Sequence, residues 1–266
     1  MADASGEWTD RSYLRTVQYR DPANLAARQS IYAFQEPAID LPAWVLDRAG
    51  LTGTETVADI GCGNGAYLAE LGRRVHAGTV MGLDLSEGMA RAARDRLTTG
   101  ATAVADATLL PIRTSAVHVT LAMHMLYHVP DRSLAVAEFR RIQAVGGVVL
   151  VVLNGYDHLR QLRVLIEEML TALSDPPGSV SRLDLDVGES LLRPGFSRVE
   201  RHEVHAQLVV PTPEPILDYV ASMNIVRSGR VEEERAMDFA RDAVEKEIGR
   251  SGAFRINTHS GCLVCR

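Results

Sequence analysis

The sequence predicts an α/β domain: a parallel sheet with helices on both faces. Two observations carry that class. Between residues 57 and 153, five short apolar runs alternate with helical stretches, and such a βα rhythm gives a parallel sheet with right-handed crossovers. The runs are apolar throughout, which is how strands buried on both faces read. The composition, 46% apolar and 23% charged over 266 residues, supplies the core of one large domain with an elaboration and excludes disordered and fibrous classes.

In chain order, residues 11–50 read as helices broken at Pro22, Pro37 and Pro42 and ending at Gly50. They define a helical cap over residues 1–50. Strands follow at 57–60, 79–83, 102–105, 117–122 and 148–153, separated by helices at 66–74, 88–97 and 133–144. Beyond Asn154 the rhythm changes. Apolar residues at 159, 162, 165, 166, 169, 170 and 173 keep a helical period, and 175–188 reads as a loop from its Pro, Gly and Asp content. Residues 196–210 predict a strand, 215–226 and 231–248 helices, and 254–265 one or two strands. The main domain is expected over 51–266, with 155–192 and 211–250 as lid insertions. They would sit around the C-terminal edge of the sheet, where open α/β folds bind ligands.

Lys+Arg of 28 against Asp+Glu of 34 gives a net charge of −6. With no basic, aromatic-interleaved patch, a nucleic-acid partner is not expected. The longest apolar run, 145–153, is far short of the ~20 residues of a membrane span. The first residues lack the basic and apolar regions of a signal peptide, and three cysteines suit a reducing compartment. A cytoplasmic protein is expected. Cys262 and Cys265 form C-x-x-C, but with only Cys62 and His259 to add, packing of small apolar thiols is favoured and no metal is expected.

The chemistry starts at residues 57–65 (VADIGCGNG). Glycines at 61, 63 and 65 let the backbone turn sharply and approach a ligand closely, with the next helix pointing its N-terminus there. Asp84 ends the second strand, where a carboxylate can accept both hydroxyls of a ribose. These residues indicate an adenosine-type cofactor, whether a nicotinamide dinucleotide or another adenosyl ligand. Three features favour the latter. Gly65 keeps the loop compact, and Asp106-Ala107 follow the third strand, where a carboxylate can take the adenine amine. Residues 123–131 (MHMLYHVPD) have no place in a dehydrogenase pattern.

Together these residues resemble the class I S-adenosylmethionine-dependent methyltransferases, in particular the small-molecule branch related to the methyltransferases of ubiquinone and menaquinone biosynthesis. DIGCGNG, GLDLSEGM, ADATLLPI and HMLYHVPD carry the resemblance, and YRDPANLAARQSI, LNGYDH, YVAS and SGCLVCR extend it to a bacterial subgroup that includes natural-product methyltransferases. The resemblance implies a Rossmann-like seven-stranded mixed sheet, six strands parallel and the seventh antiparallel, with the last two strands paired around a helical insertion. It implies S-adenosyl-L-methionine as cofactor, S-adenosyl-L-homocysteine as product, and contacts from Asp59, Gly61, Cys62, Gly63, Asn64, Asp84, Leu85, Asp106, Ala107 and Met123. Met123 stands where the subgroup has Asn, which leaves a backbone contact. Arg28 of the cap suits the carboxylate of the methionine moiety, or else a surface ion pair. His128 and, second, His124 are the candidate bases, because imidazole titrates near neutrality; His158 is a further pocket candidate. The partner is a small-molecule acceptor, partly apolar from Tyr32, Phe34, Leu162, Tyr219 and Met223, and a homodimer is a candidate assembly. Two alternatives stay open: a nicotinamide-dependent oxidoreductase, and an S-adenosylmethionine-binding protein that does not methylate.

Overall fold

The computed structural model describes residues 9–173, 183–224 and 230–266. Its strands are β1 (Gln35–Glu36), β2 (Val57–Ile60), β3 (Val80–Asp84), β4 (Ala101–Val104), β5 (Val117–Met123), β6 (Gln143–Asn154), β7 (Val199–Val210) and β8 (Phe254–Cys265). They form one sheet in the order β1-β7-β8-β6-β5-β2-β3-β4. The pairs from β4 to β6 are parallel, whereas β8 runs antiparallel to both β6 and β7. Strands β2 to β7 therefore share one direction and β8 opposes them, the mixed order the resemblance implies. The two-residue β1, antiparallel to β7, is an addition; Gln35-Glu36 carries no apolar pattern from which to read it.

The helices are α1 (Arg11–Tyr13), α2 (Ala23–Ser30), α3 (Leu41–Leu46), α4 (Ala66–Arg73), α5 (Glu87–Arg94), α6 (Arg132–Ile142), α7 (Arg160–Ala172), α8 (Leu185–Leu192), α9 (Glu214–Ala221) and α10 (Arg230–Ser251). Caps set several of their starts. Ser86 accepts from the Met89 N–H and Asp131 from that of Leu134, each satisfying one donor that a helix start leaves orphaned. Asp40 does the same for α3, whose Pro42 lies in the first turn. Pro42 thus opens a helix rather than breaking one, since its missing N–H is unneeded there.

Three expectations are corrected. Strand β4 is not buried on both faces: Ala101, Ala103 and Val104 are exposed, because β4 ends the sheet and has a neighbour, β3, on one side only. The loop read at 175–188 gives way to α8 from Leu185, started by Asp184, which accepts from the Val187 N–H at 2.9 Å; residues 174–182 lie outside the described ones. The cap boundaries also shift. Leu185 and Leu192 of α8 pack with Val149, Val151 and Leu263 on one sheet face, and Val45 and Leu46 of α3 pack with Leu68 and Leu71 on the other. Both helices belong to the layers covering the sheet. Cys265 joins the first of these clusters and Cys262 the second, as the two-residue period of a strand requires, so the C-x-x-C pair cannot share a metal.

A third core lies off the sheet's end. Strand β8 pairs with β6 only over residues 260–265 but with β7 over its whole length, 254–265. The remaining half of the β7–β8 hairpin runs past the end of β6 at Asn154 and becomes a platform. On it, Leu208 and Ile256 pack with Ile31 of the N-terminal segment, Leu162 of α7, Ile216 of α9 and Ala240 of α10. The hairpin thus carries the cap, with α9 and α10 inserted between its two strands as expected. Among the described residues no helix is long and apolar enough to cross a membrane.

Candidate active site

Strand β2 pairs with β3 on one side and β5 on the other. The crevice outside its C-terminal end is the switch point where α/β sheets hold ligands. Gly61, Gly63 and Gly65 occupy φ values of +69°, +54° and +82° there, a left-handed region costly for other residues. At Gly65 a Cβ would also fall 2.9 Å from the Ala93 backbone. The turn is tied to β3 by the Gly61 and Cys62 N–H groups, which donate to the Leu83 carbonyl at 2.7 and 3.0 Å.

Asp84 completes this end. Its Oδ2 accepts from the Gly63 N–H at 2.9 Å and its Oδ1 from the Ser86 N–H at 2.8 Å. A carboxylate has about four acceptor positions, so each oxygen keeps one, side by side, as a vicinal diol needs. Burial pushes the Asp84 carboxyl up from its ordinary range, while the N–H groups of Ser86 and Gly63 pull it back. Asp59 is different. It is fully buried and neither carboxyl oxygen has a hydrogen-bond partner; burial, then the charge of Asp84, push its carboxyl up to about 8.

The other predicted cofactor residues lie in and after the neighbouring strands. Cys62 is buried in the turn, with its thiol pushed up by burial, and Leu85 is half-buried behind Asp84. The Asn64 amide donates to Gln29 of the N-terminal segment at 2.8 Å. Ala107 is buried in the turn after β4, and Met123 at the end of β5. Asp106 is already engaged: Oδ1 accepts from the N–H and hydroxyl of Thr108 at 2.8 and 2.7 Å, and Oδ2 pairs with Arg11 at 2.8 Å.

That Arg11 contact belongs to a cap laid directly on the turn. The Ser86 hydroxyl donates to the Tyr19 carbonyl at 2.6 Å, and the Leu25 side chain lies 3.2 Å from where a Cβ of Gly63 would be. Arg28 faces inward from α2. Its Nη1 donates to the Ser222 carbonyl at 3.1 Å, its guanidinium carbon lies 5.4 Å from the Tyr19 ring centre, and its buried Nη2 has no hydrogen-bond partner among the described residues. A surface ion pair is therefore not its role.

His128 ends a short 3-10 turn after β5. Its Nε2 lies 2.9 Å from the Tyr19 hydroxyl, and the Tyr127 ring stands edge-on at 4.5 Å. His124, at φ +53°, is pulled down to about 4 by burial, which leaves a neutral ring and a weak base. His158 is pulled down to about 3 by burial and by His124. Its Nδ1 accepts the His259 backbone N–H at 3.0 Å, so its one proton sits on Nε2, 3.1 Å from the Tyr32 hydroxyl. The Tyr32 hydrogen is then free to be donated elsewhere. Sequence reasoning missed Tyr127 and the Ser222 carbonyl as partners of His128 and Arg28; the second contact joins residues 194 apart and leaves no local signature.

Residues 58–151 match the family model described as "Methyltransferase domain". A Malonyl-[acyl-carrier protein] O-methyltransferase of Geobacter sulfurreducens is 31% identical over 154 residues, covering 54% of this chain and 56% of the relative. An uncharacterized 37.1 kDa protein in transposon TN4556 of Streptomyces fradiae is 28% identical over 224 residues, covering 81% and 59%. The chain thus spans little more than half the length of these curated relatives. Two solved structures show the same fold. A candidate methyltransferase from an antibiotic biosynthesis pathway of Anabaena variabilis aligns with a TM-score of 0.60 at 17% identity, over 84% of this chain and 95% of that one. A phosphoethanolamine N-methyltransferase of Haemonchus contortus, in complex with phosphomonomethylethanolamine and S-adenosylhomocysteine, aligns at 0.58 and 18%, over 97% and 59%.

Proposed function

We propose that the chain, whose residues 58–151 match a methyltransferase-domain model, transfers the methyl group of S-adenosylmethionine to a small-molecule acceptor. One observation carries the choice of cofactor. The glycine turn and the cap over it hold two buried ionisable groups without full partners, the Asp59 carboxyl and Nη2 of Arg28. Leaving such groups unsatisfied is costly. An amino-acid moiety brings an ammonium and a carboxylate, one for each; a pyrophosphate brings no cation for Asp59.

The residues present fit the rest of that ligand. Asp84 offers two adjacent acceptor positions to a ribose, and Asp106 keeps one on Oδ2 for an adenine amine beside Arg11. Gly61 and Gly63 carry no side chain of their own, and Met125 and Leu25 pack against them; Cys62, Asn64, Leu85, Ala107 and the Met123 backbone would complete the lining. The cofactor supplies a methyl group already activated by its sulfonium, so the chain's task is mainly to position, and holding reactants in line can supply ~7–11 kcal/mol. The cap packed on the turn would exclude water from the bound methyl group. Where the acceptor carries a proton, His128 receives it at Nε2, directly or through the Tyr19 hydroxyl. His124, neutral and weakly basic, orients rather than deprotonates.

Tyr19, Tyr32 and Tyr219 make a polar-tipped aromatic wall that suits a partly apolar acceptor with an oxygen or nitrogen to hydrogen-bond. The fold shared with the Anabaena protein supports a place in secondary metabolism, and the motif resemblance supports kinship with the ubiquinone and menaquinone branch. The unpaired thiols Cys62, Cys262 and Cys265 suit a cytoplasmic setting. The test is incubation with S-adenosylmethionine labelled in its methyl group and a small-molecule extract of the producing cells. Label should appear in one small molecule. Cofactor binding with no labelled product would support a non-methylating binder, and heat protection by NAD(P) alone would support an oxidoreductase.

A further inference from the structure

Where β8 leaves β6, at the root of the projecting hairpin, lies a cluster that methyl transfer does not use. His205 and His259 are direct cross-strand partners on β7 and β8, with ring centres 3.9 Å apart. Asp157, in the turn after β6, brings Oδ1 to 2.6 Å from Nδ1 of His259. One donor atom from each of Asp157, His205 and His259 lies within 4.8 Å of the others. We propose that these three side chains bind a divalent transition-metal ion of the zinc class, at the joint between sheet and cap platform.

The surroundings of His259 support this more than the trio alone. On its other edge, Nε2 lies 2.6 Å from Oε2 of Glu203. Glu203 is itself gripped by both arms of the Arg201 fork, at 2.8 and 3.0 Å. A carboxylate that takes the Nε2 hydrogen fixes the tautomer and leaves the Nδ1 lone pair outward, the arrangement that outer-shell carboxylates impose on metal-binding histidines. Two imidazoles and a carboxylate, with a water as fourth ligand, are a usual zinc donor set at bonds of ~2.0–2.2 Å. Asp157 and His205 are exposed and free to rotate the last ångström inward, while His259, 9% exposed, is held.

The position gives the ion a task. His259 donates its backbone N–H to His158, which bonds Tyr32 of the cap, and Asp157 precedes His158 in the chain. An ion held by Asp157 and both hairpin strands would clamp the turn that places this pair.

The metal-free full chain is titrated with Co2+, read by visible absorption, and with Zn2+, read by calorimetry. One equivalent should bind, with the absorption of a four-coordinate site, and Zn2+ should raise the melting temperature, as any ligand of the folded state does. His205→Ala and Asp157→Asn should abolish both effects. Glu203→Ala should weaken binding by ~10–100-fold, the usual cost of losing an outer-shell partner, and the remote His118→Ala should leave it unchanged. Circular dichroism of each variant confirms its fold. No saturable binding, or binding retained when His205 and Asp157 are both replaced, would overturn the site. The readout is metal binding alone, so its failure leaves the methyltransferase reading untouched, and the reverse.

Discussion

The glycine turn between β2 and α4 and the projecting end of the β7–β8 hairpin lie on the same edge of one sheet. They are encoded in opposite ways. The turn is local: Asp59 to Gly65 are contiguous, and Asp84 answers Gly63 across 21 positions. The hairpin end is assembled from afar, with Ile31, Leu162, Ile216, Ala240 and Ile256 meeting in one core. The first region is held by backbone geometry and fixed carboxylates, so few substitutions are compatible with it. The second is held by side chains on helices, which can be exchanged while the turn stays the same.

If the two regions are separable, they should fail separately. The largest effect is expected from deleting residues 1–36, which removes Arg28, Tyr19 and Tyr32 but no residue of the two clusters covering the sheet. Turnover should vanish and cofactor binding weaken, while the far-ultraviolet spectrum and a cooperative melt persist. Retained turnover would show that the cap is not part of the site. A smaller loss is expected from His128→Ala: if His128 takes the acceptor proton, kcat should fall by ~10²–10⁴-fold with cofactor affinity near wild type. If it only orients the acceptor, KM should rise and the pH–rate profile keep its shape. Unchanged kcat and KM would leave positioning as the whole account.

The smallest effect concerns Asp59, whose carboxyl is pushed from an ordinary 3.8 up to about 8 in the folded chain. A raised carboxyl means that the folded state holds the extra proton. Its contribution to stability is full below about pH 4 and is lost as the pH rises through about 8. The ligand-free protein should therefore lose stability from this group across that window. Asp59→Asn should flatten the slope, with a change of ~2–4 °C in Tm per kcal/mol at this size. Parallel slopes in melts at several pH values would show that Asp59 is ionised in the folded protein.

What was legible follows the same division. The five strands β2 to β6 could be read because each is an apolar run between turn residues, and the glycine turn because glycine at positive φ has few substitutes. The paired β7 and β8 came from the resemblance rather than from the pattern. The boundaries of the cap were not legible. Val45 and Leu192 are apolar residues on amphipathic helices, and periodicity tells that a face is buried, not which core receives it. Nor could spacing find the bond of His128 to Tyr19, 109 residues away, or the meeting of Asp157 with His259.

The most direct test of the central claim, that Asp84 and the glycine turn hold an adenosyl amino-acid cofactor, is calorimetric titration with S-adenosylhomocysteine. The account predicts one-site binding to the wild type, no competition by NAD+, and a loss in Asp84→Ala of ~1.5–3 kcal/mol, the worth of hydrogen bonds to a charged group. Unchanged affinity in Asp84→Ala, or binding of NAD+ in place of S-adenosylhomocysteine, would contradict it.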